Sequence, residues 1–142
     1  MGVRSFFDSN ILVYTDDHDA PKKQTAALDL VEEARLQRSG VISTQVLQEY
    51  FAAATRKLKV RPEIARRKVE IFARLDVVQV DLDLILGAID LHRLHALSFW
   101  DALIVRAALA NGCTVLYSEG LQTGQRLNGL QIVNPFNPAQ KQ

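Results

Sequence analysis

Short apolar runs alternate along this chain with longer segments whose apolar residues recur at helical spacing. Val3 to Phe7, Val41 to Ser43, Val77 to Val80, Thr114 to Tyr117 and Leu130 to Val133 are β-prone runs of strand length. The segments Lys22 to Gln37, Gln45 to Leu58, Glu63 to Leu75, Leu84 to Leu94 and Phe99 to Asn111 carry the three-and-four periodicity of helices with one buried face. Pro62 divides what would otherwise be one long helix, and Asn111-Gly112 reads as a helix C-cap. Strands joined by helical crossovers pair in parallel, so the pattern predicts an α/β domain with a central, mostly parallel sheet of about five strands and helices on both faces. Ligands of such sheets bind outside the carboxyl ends of the strands, and chemistry is expected there.

Composition narrows the class. A chain of 142 residues with 48% hydrophobic content has the size of one domain and buries enough apolar surface to fold without disulfides. Its longest apolar runs fall far short of the roughly 20 residues a membrane span requires. Asp8 interrupts the first residues before a signal-peptide core develops, so the expected location is cytoplasmic. Cys113 is the single cysteine, which excludes an internal disulfide and a cysteine-built zinc cage, and it reads as core. No repeat or linker divides the chain. Residues 1–136 read as one domain, and residues 137–142 as a tail that frays.

The formal net charge of +1 argues neither for nor against a polyanion partner, but its distribution is uneven. Arg56, Lys57, Lys59, Arg61, Arg66, Arg67 and Lys68 face a single acid, Glu63, within one stretch. That stretch reads either as two solvated helix ends or as a flank for phosphates. His18, His92 and His95 form no metal-ligand pattern.

Four carboxylates stand where a crevice above the sheet would be. Asp8 ends the first strand, although a turn aspartate bonding the next backbone amide accounts for it equally. Glu49 flanks the apolar stripe of its helix, and its i+4 neighbour is Ala53, so no helical ion pair explains it. Asp101 follows Ser98, which reads as a capping arrangement or as a carboxylate delivered to the crevice by a helix N-terminus. Glu119 follows the run Thr114 to Tyr117, in a loop before Gly120. Were these acids to converge, a hard divalent cation would be needed to keep them ionised, and an all-oxygen set favours Mg²⁺ or Mn²⁺. Trp100, spaced with Leu103 and Ile104, reads as core.

The order and wording of these segments resemble the PIN-domain family, and within it the VapC-type toxin ribonucleases of toxin–antitoxin pairs. The resemblance rests on Phe6-Phe7-Asp8-Ser9-Asn10-Ile11-Leu12, on Ser43-Thr44-Gln45-Val46-Leu47-Gln48-Glu49-Tyr50 and on Leu97-Ser98-Phe99-Trp100-Asp101-Ala102-Leu103-Ile104. Leu116 to Gln125 and Ile132 to Phe136 extend it, so that it covers Arg4 to Phe136. It implies a metal-dependent endoribonuclease in which Asp8, Glu49 and Asp101 hold Mg²⁺ or Mn²⁺, with RNA as substrate. It further implies a cognate antitoxin protein that blocks the site, and a homodimer. One departure stands out: many relatives read Ser-Glu-Asp before Leu-Gln where this chain has Ser118-Glu119-Gly120. The usual fourth acid is missing, and Glu119 is the candidate to replace it as a fourth catalytic group, with Asn10 and Ser118 as supporting groups. Two other readings follow. A noncatalytic PIN-like RNA-binding module would keep the fold and basic stretch without cleavage. A phosphoacceptor receiver domain shares the α/β alternation, but Asn134-Pro135 occupies the place of the lysine it requires.

Overall fold

The computed structural model describes residues 3–121 and 124–137. The first strand, β1 (Ser5–Phe7), leads through α1 (Ser9–Tyr14) and α2 (Pro21–Gln37) to β2 (Gly40–Ser43). Helices α3 (Thr44–Arg56) and α4 (Pro62–Phe72) connect to β3 (Asp76–Val78). Then come α5 (Leu82–Leu94), α6 (Phe99–Ala110), β4 (Val115–Tyr117), β5 (Arg126–Leu127) and β6 (Leu130–Val133). The expected tail lies outside the described residues apart from Asn137.

The strands form one six-stranded sheet in the order β3-β2-β1-β4-β6-β5. Every pairing is parallel except β5 with β6. β1 lies in the middle, which is why all three of its residues are buried. The chain builds outward from β1 to β2 and β3, then returns through α5 and α6 to lay β4 on the other side of β1. The direction of winding therefore reverses between β1 and β4, and the carboxyl ends of these two strands flank the crevice that such a reversal opens.

The core is the expected one. Phe6, Phe7, Ile11, Leu12, Val41, Ile42, Val46, Leu116 and Ile132 are fully buried, and Cys113 joins them. Burial pushes the Cys113 thiol up to about 11, so at neutral pH it behaves as a small apolar side chain. At Gly40 α2 packs close against the sheet: a Cβ there would lie 3.1 Å from both the Ala34 Cβ and the Phe7 ring.

Two elements go beyond the sequence reading. Asp8 is the N-cap of α1, a helix of one and a half turns whose buried face is only Ile11 and Leu12. β5 pairs with β6 through Asn128 and Gly129, both at positive φ (49° and 89°), the backbone that a tight hairpin turn demands. Among the described residues no helix is long and apolar enough to cross a membrane.

Candidate active site

Strand register assembles the first part of the site. Phe7 of β1 lies beside Tyr117 of β4, and the ladder continues one residue further as the Asp8 amide donates to the Tyr117 carbonyl (3.0 Å). The next residues, Asp8 and Ser118, therefore emerge side by side at the switch point. The Ser118 hydroxyl donates to Asp8 Oδ2 at 2.7 Å, while Asp8 Oδ1 accepts from the Ser9 amide at 2.7 Å. Ser118 Oγ itself accepts from the amides of Gly120 and Leu121, each at 3.2 Å. With its lone pairs committed to those amides, the hydroxyl proton is left for the aspartate, so this carboxylate is held as an acceptor on both oxygens.

The two remaining acids arrive on helices that start at the same sheet edge. Ser43 closes β2 and caps α3 by accepting from the Val46 amide, which lifts Glu49 into the second turn above the edge. Ser98 caps α6 by accepting from the Asp101 amide, as the sequence predicts, and fixes Asp101 in the first turn. The two helix beginnings touch. Gln45 Nε2 donates to Glu49 Oε2 (3.2 Å) and to the Trp100 carbonyl (3.3 Å), the residue before Asp101.

Asp8 feels both neighbours. Its carboxyl is held above the ordinary aspartate range, first because burial strips it of water and then, against the pull of its hydrogen bonds, because the charges of Glu49 and Asp101 repel its own. The structure thus brings Asp8, Glu49 and Asp101 into one electrostatic group. Among the described residues no three acids, histidines or cysteines are gathered tightly enough to enclose an ion directly. Mg²⁺ does not require that: it keeps several of its waters and takes one or two carboxylates directly. A carboxylate raised by burial and then by two others, in a set of oxygen donors, fits a hydrated hard cation.

Glu119 is placed differently. Its carboxylate accepts from Lys23 Nζ (2.6 Å) and from the Tyr14 hydroxyl (2.6 Å), while its amide donates to Asn10 Oδ1. Burial alone would raise this group, but the hydrogen bonds from Lys23 and Tyr14 and the charge of Lys23 bring it below the usual range on balance. It is not among the charges that act on Asp8. Gly120 has room: a Cβ there meets only Asn10 Nδ2, at 3.6 Å, and its φ is not in the left-handed region. Trp100 corrects the sequence reading. The buried positions of α6 begin at Ala102, and the indole, one turn too early to reach the core, is 62% exposed beside Phe99.

The basic stretch folds into the corner between α3 and α4. Lys68 is drawn out of it by Asp16, which also accepts from the Tyr50 hydroxyl, and Arg61 and Arg66 pair with Glu63 and Glu70. Among the described residues Arg56, Lys57, Lys59 and Arg67 form no ion pair and are exposed. Arg56 lies seven residues after Glu49, which puts the two on one face of α3 about 10 Å apart along its axis.

Fold and site together define a doubly wound α/β domain with a group of acids at its switch point. A family model for the PIN domain matches residues 5–122, and the chain belongs to that family. Solved structures with a similar fold include VapBC2 from Rickettsia felis bound to a DNA fragment from its promoter, at 19% identity over 90% of this chain and 96% of that one, with a TM-score of 0.67. A toxin–antitoxin complex from Klebsiella pneumoniae is similar at 18% identity, 92% and 97% coverage and a TM-score of 0.66. VapC20 from Mycobacterium tuberculosis, a toxin that cleaves the sarcin–ricin loop, is similar at 22% identity, 79% and 86% coverage and a TM-score of 0.59. No curated protein matches the chain.

Proposed function

We propose that this chain is a Mg²⁺- or Mn²⁺-dependent endoribonuclease, the toxin of a toxin–antitoxin pair of the VapC type. The observation that carries the reading is Asp8 at the switch point of a PIN-family sheet, its carboxyl raised first by burial and further by the charges of Glu49 and Asp101. Asp8, Glu49 and Asp101 would hold the ion. When bound, the ion supplies an activated water for attack on a phosphodiester and charge for the leaving oxygen. The chain's own contribution is positional: Ser118 and the Ser9 amide aim Asp8, and Ser43 and Ser98 fix the helices that carry the other two acids. The exposed bases at the α3–α4 corner provide the phosphate contacts that give affinity without sequence preference. Glu119 would act as a fourth catalytic group only by exchanging its bond to Lys23 for the ion. A cognate antitoxin belongs to the same proposal, supported by the toxin–antitoxin complexes among the structural neighbours; a homodimeric state and a cytoplasmic location are proposed with it from the family resemblance alone.

Purified protein incubated with mixed RNA in Mg²⁺, Mn²⁺ or EDTA, beside Asp101→Asn, tests this reading. Cleavage is expected with metal, none in EDTA, and a loss of about 100-fold or more in the variant, above what a merely supporting group is worth at a metal site. RNA bound but left intact by the parent in every metal would favour the noncatalytic binding module instead.

The space at Gly120 gives a second expectation. Gly120→Asp places an acid beside Asn10 without backbone strain, so melting should shift little, within about 0.5 kcal/mol. Affinity for Mn²⁺, measured by titration, should rise about 10-fold, the lower end of what a supporting carboxylate is worth. Unchanged affinity in a folded variant would show that the missing acid does not limit metal binding.

A further inference from the structure

Gln45 sits in the first turn of α3, among residues that otherwise supply core, and is only 5% exposed. Its side chain is an odd choice for so dry a place. Both of its hydrogen bonds run from Nε2, one to the Glu49 carboxylate on its own helix and one to the Trp100 carbonyl on α6, fifty-five residues away. Two acceptors on that side fix which end of the amide is nitrogen, and Oε1 remains buried with no partner among the described residues. A buried acceptor left without a donor is costly, and an apolar side chain of the same length would avoid the cost.

We infer that Gln45 is a positioning residue of the metal site: it holds the Glu49 carboxylate against the first turn of α6, and the unpaired Oε1 is what those two Nε2 bonds cost. The inference rests on the metal-dependent reading above. Glu49, at i+4 from Gln45, would otherwise be free to turn along the helix surface, having no cationic partner among the described residues. One amide thus ties two of the three acids to each other, through a side chain on α3 and a carbonyl on α6.

The test is Mn²⁺ binding to the full chain, followed by the electron paramagnetic resonance of the free ion, for the parent, Gln45→Met, Glu49→Gln and the double variant. Gln45→Met should bind Mn²⁺ about 10- to 100-fold more weakly than the parent, the range for groups that orient metal ligands. In the Glu49→Gln background the same change should weaken binding far less, because the carboxylate it orients is gone. Equal affinity in the parent and Gln45→Met overturns the inference, as does the same fold-loss in both backgrounds, the signature of a purely structural glutamine. That comparison decides even if Gln45→Met melts earlier, since a general loss of fold weakens both backgrounds alike. A parent that binds no Mn²⁺, or an Asp8→Asn variant that binds it as well as the parent, overturns the metal reading itself and Gln45's part with it.

Discussion

Asp8→Asn is expected to remove metal-dependent RNA cleavage while leaving the metal-free protein folded. The first half follows from position. Asp8 is the buried member of the acidic group and the one whose two oxygens are already aimed, so its loss should exceed the 10- to 100-fold that supporting groups at metal sites are worth. The second half follows from the sign of its pKa shift. Burial and the charges of Glu49 and Asp101 raise the folded pKa above the unfolded value of 3.8. The folded state then holds the proton more tightly. The stability linked to Asp8 is fully present below 3.8 and is lost as pH rises through the folded pKa, so at neutral pH the ionised group is a burden on the metal-free fold. In EDTA the stability of the parent relative to Asp8→Asn should fall as pH rises above 3.8, the variant lacking the share of the loss that belongs to Asp8. Mg²⁺ at pH 7 should stabilise the parent by about 2.7 kcal/mol at 100 times its Kd, read as a higher midpoint, and leave the variant unchanged. A parent with no metal-dependent shift, or a variant with the same shift, would contradict the placement of the ion at Asp8.

The sequence carried the frame of this site further than its detail. All five strand runs and all five helical segments are present, because each is long enough or apolar enough for its period to show. Asp8, Glu49 and Asp101 were legible because each follows a local signal: a strand end, a helix opened after Ser43-Thr44, a cap at Ser98. What escaped was short or long-range. Helix α1 has too few residues to display a period, and its capping residue was itself the candidate acid. The β5–β6 hairpin left one usable signal, Asn128-Gly129, whose preference for positive φ at both positions marks such a turn. Gln45 left none, since its meaning lies in a carbonyl on another helix. The direction of the Glu119 side chain is likewise set by Lys23, ninety-six positions earlier in the chain, and by Tyr14. Local pattern places backbone, while side-chain partners across the fold decide which acids share a groove.

Ser118→Ala is the second large effect expected, and it should appear in stability and in metal binding together. Ser118 is fully buried and its single oxygen serves three neighbours: it donates to Asp8 and accepts from the amides of Gly120 and Leu121. Alanine removes the charge-assisted bond to Asp8, a type worth about 1.5–3 kcal/mol, and leaves two loop amides to find other acceptors. At neutral pH the metal-free protein should therefore lose roughly 2–3 kcal/mol, read from denaturant unfolding. Mn²⁺ affinity should fall about 10- to 100-fold, because Asp8 would keep one fixed oxygen and one free to turn. The two losses separate with pH. Once Asp8 is protonated, its bond to Ser118 is no longer charge-assisted, so the stability gap between parent and variant should narrow at low pH. A gap independent of pH would mean that Ser118 matters only for the loop amides, and that the Ser9 amide alone is enough to aim Asp8.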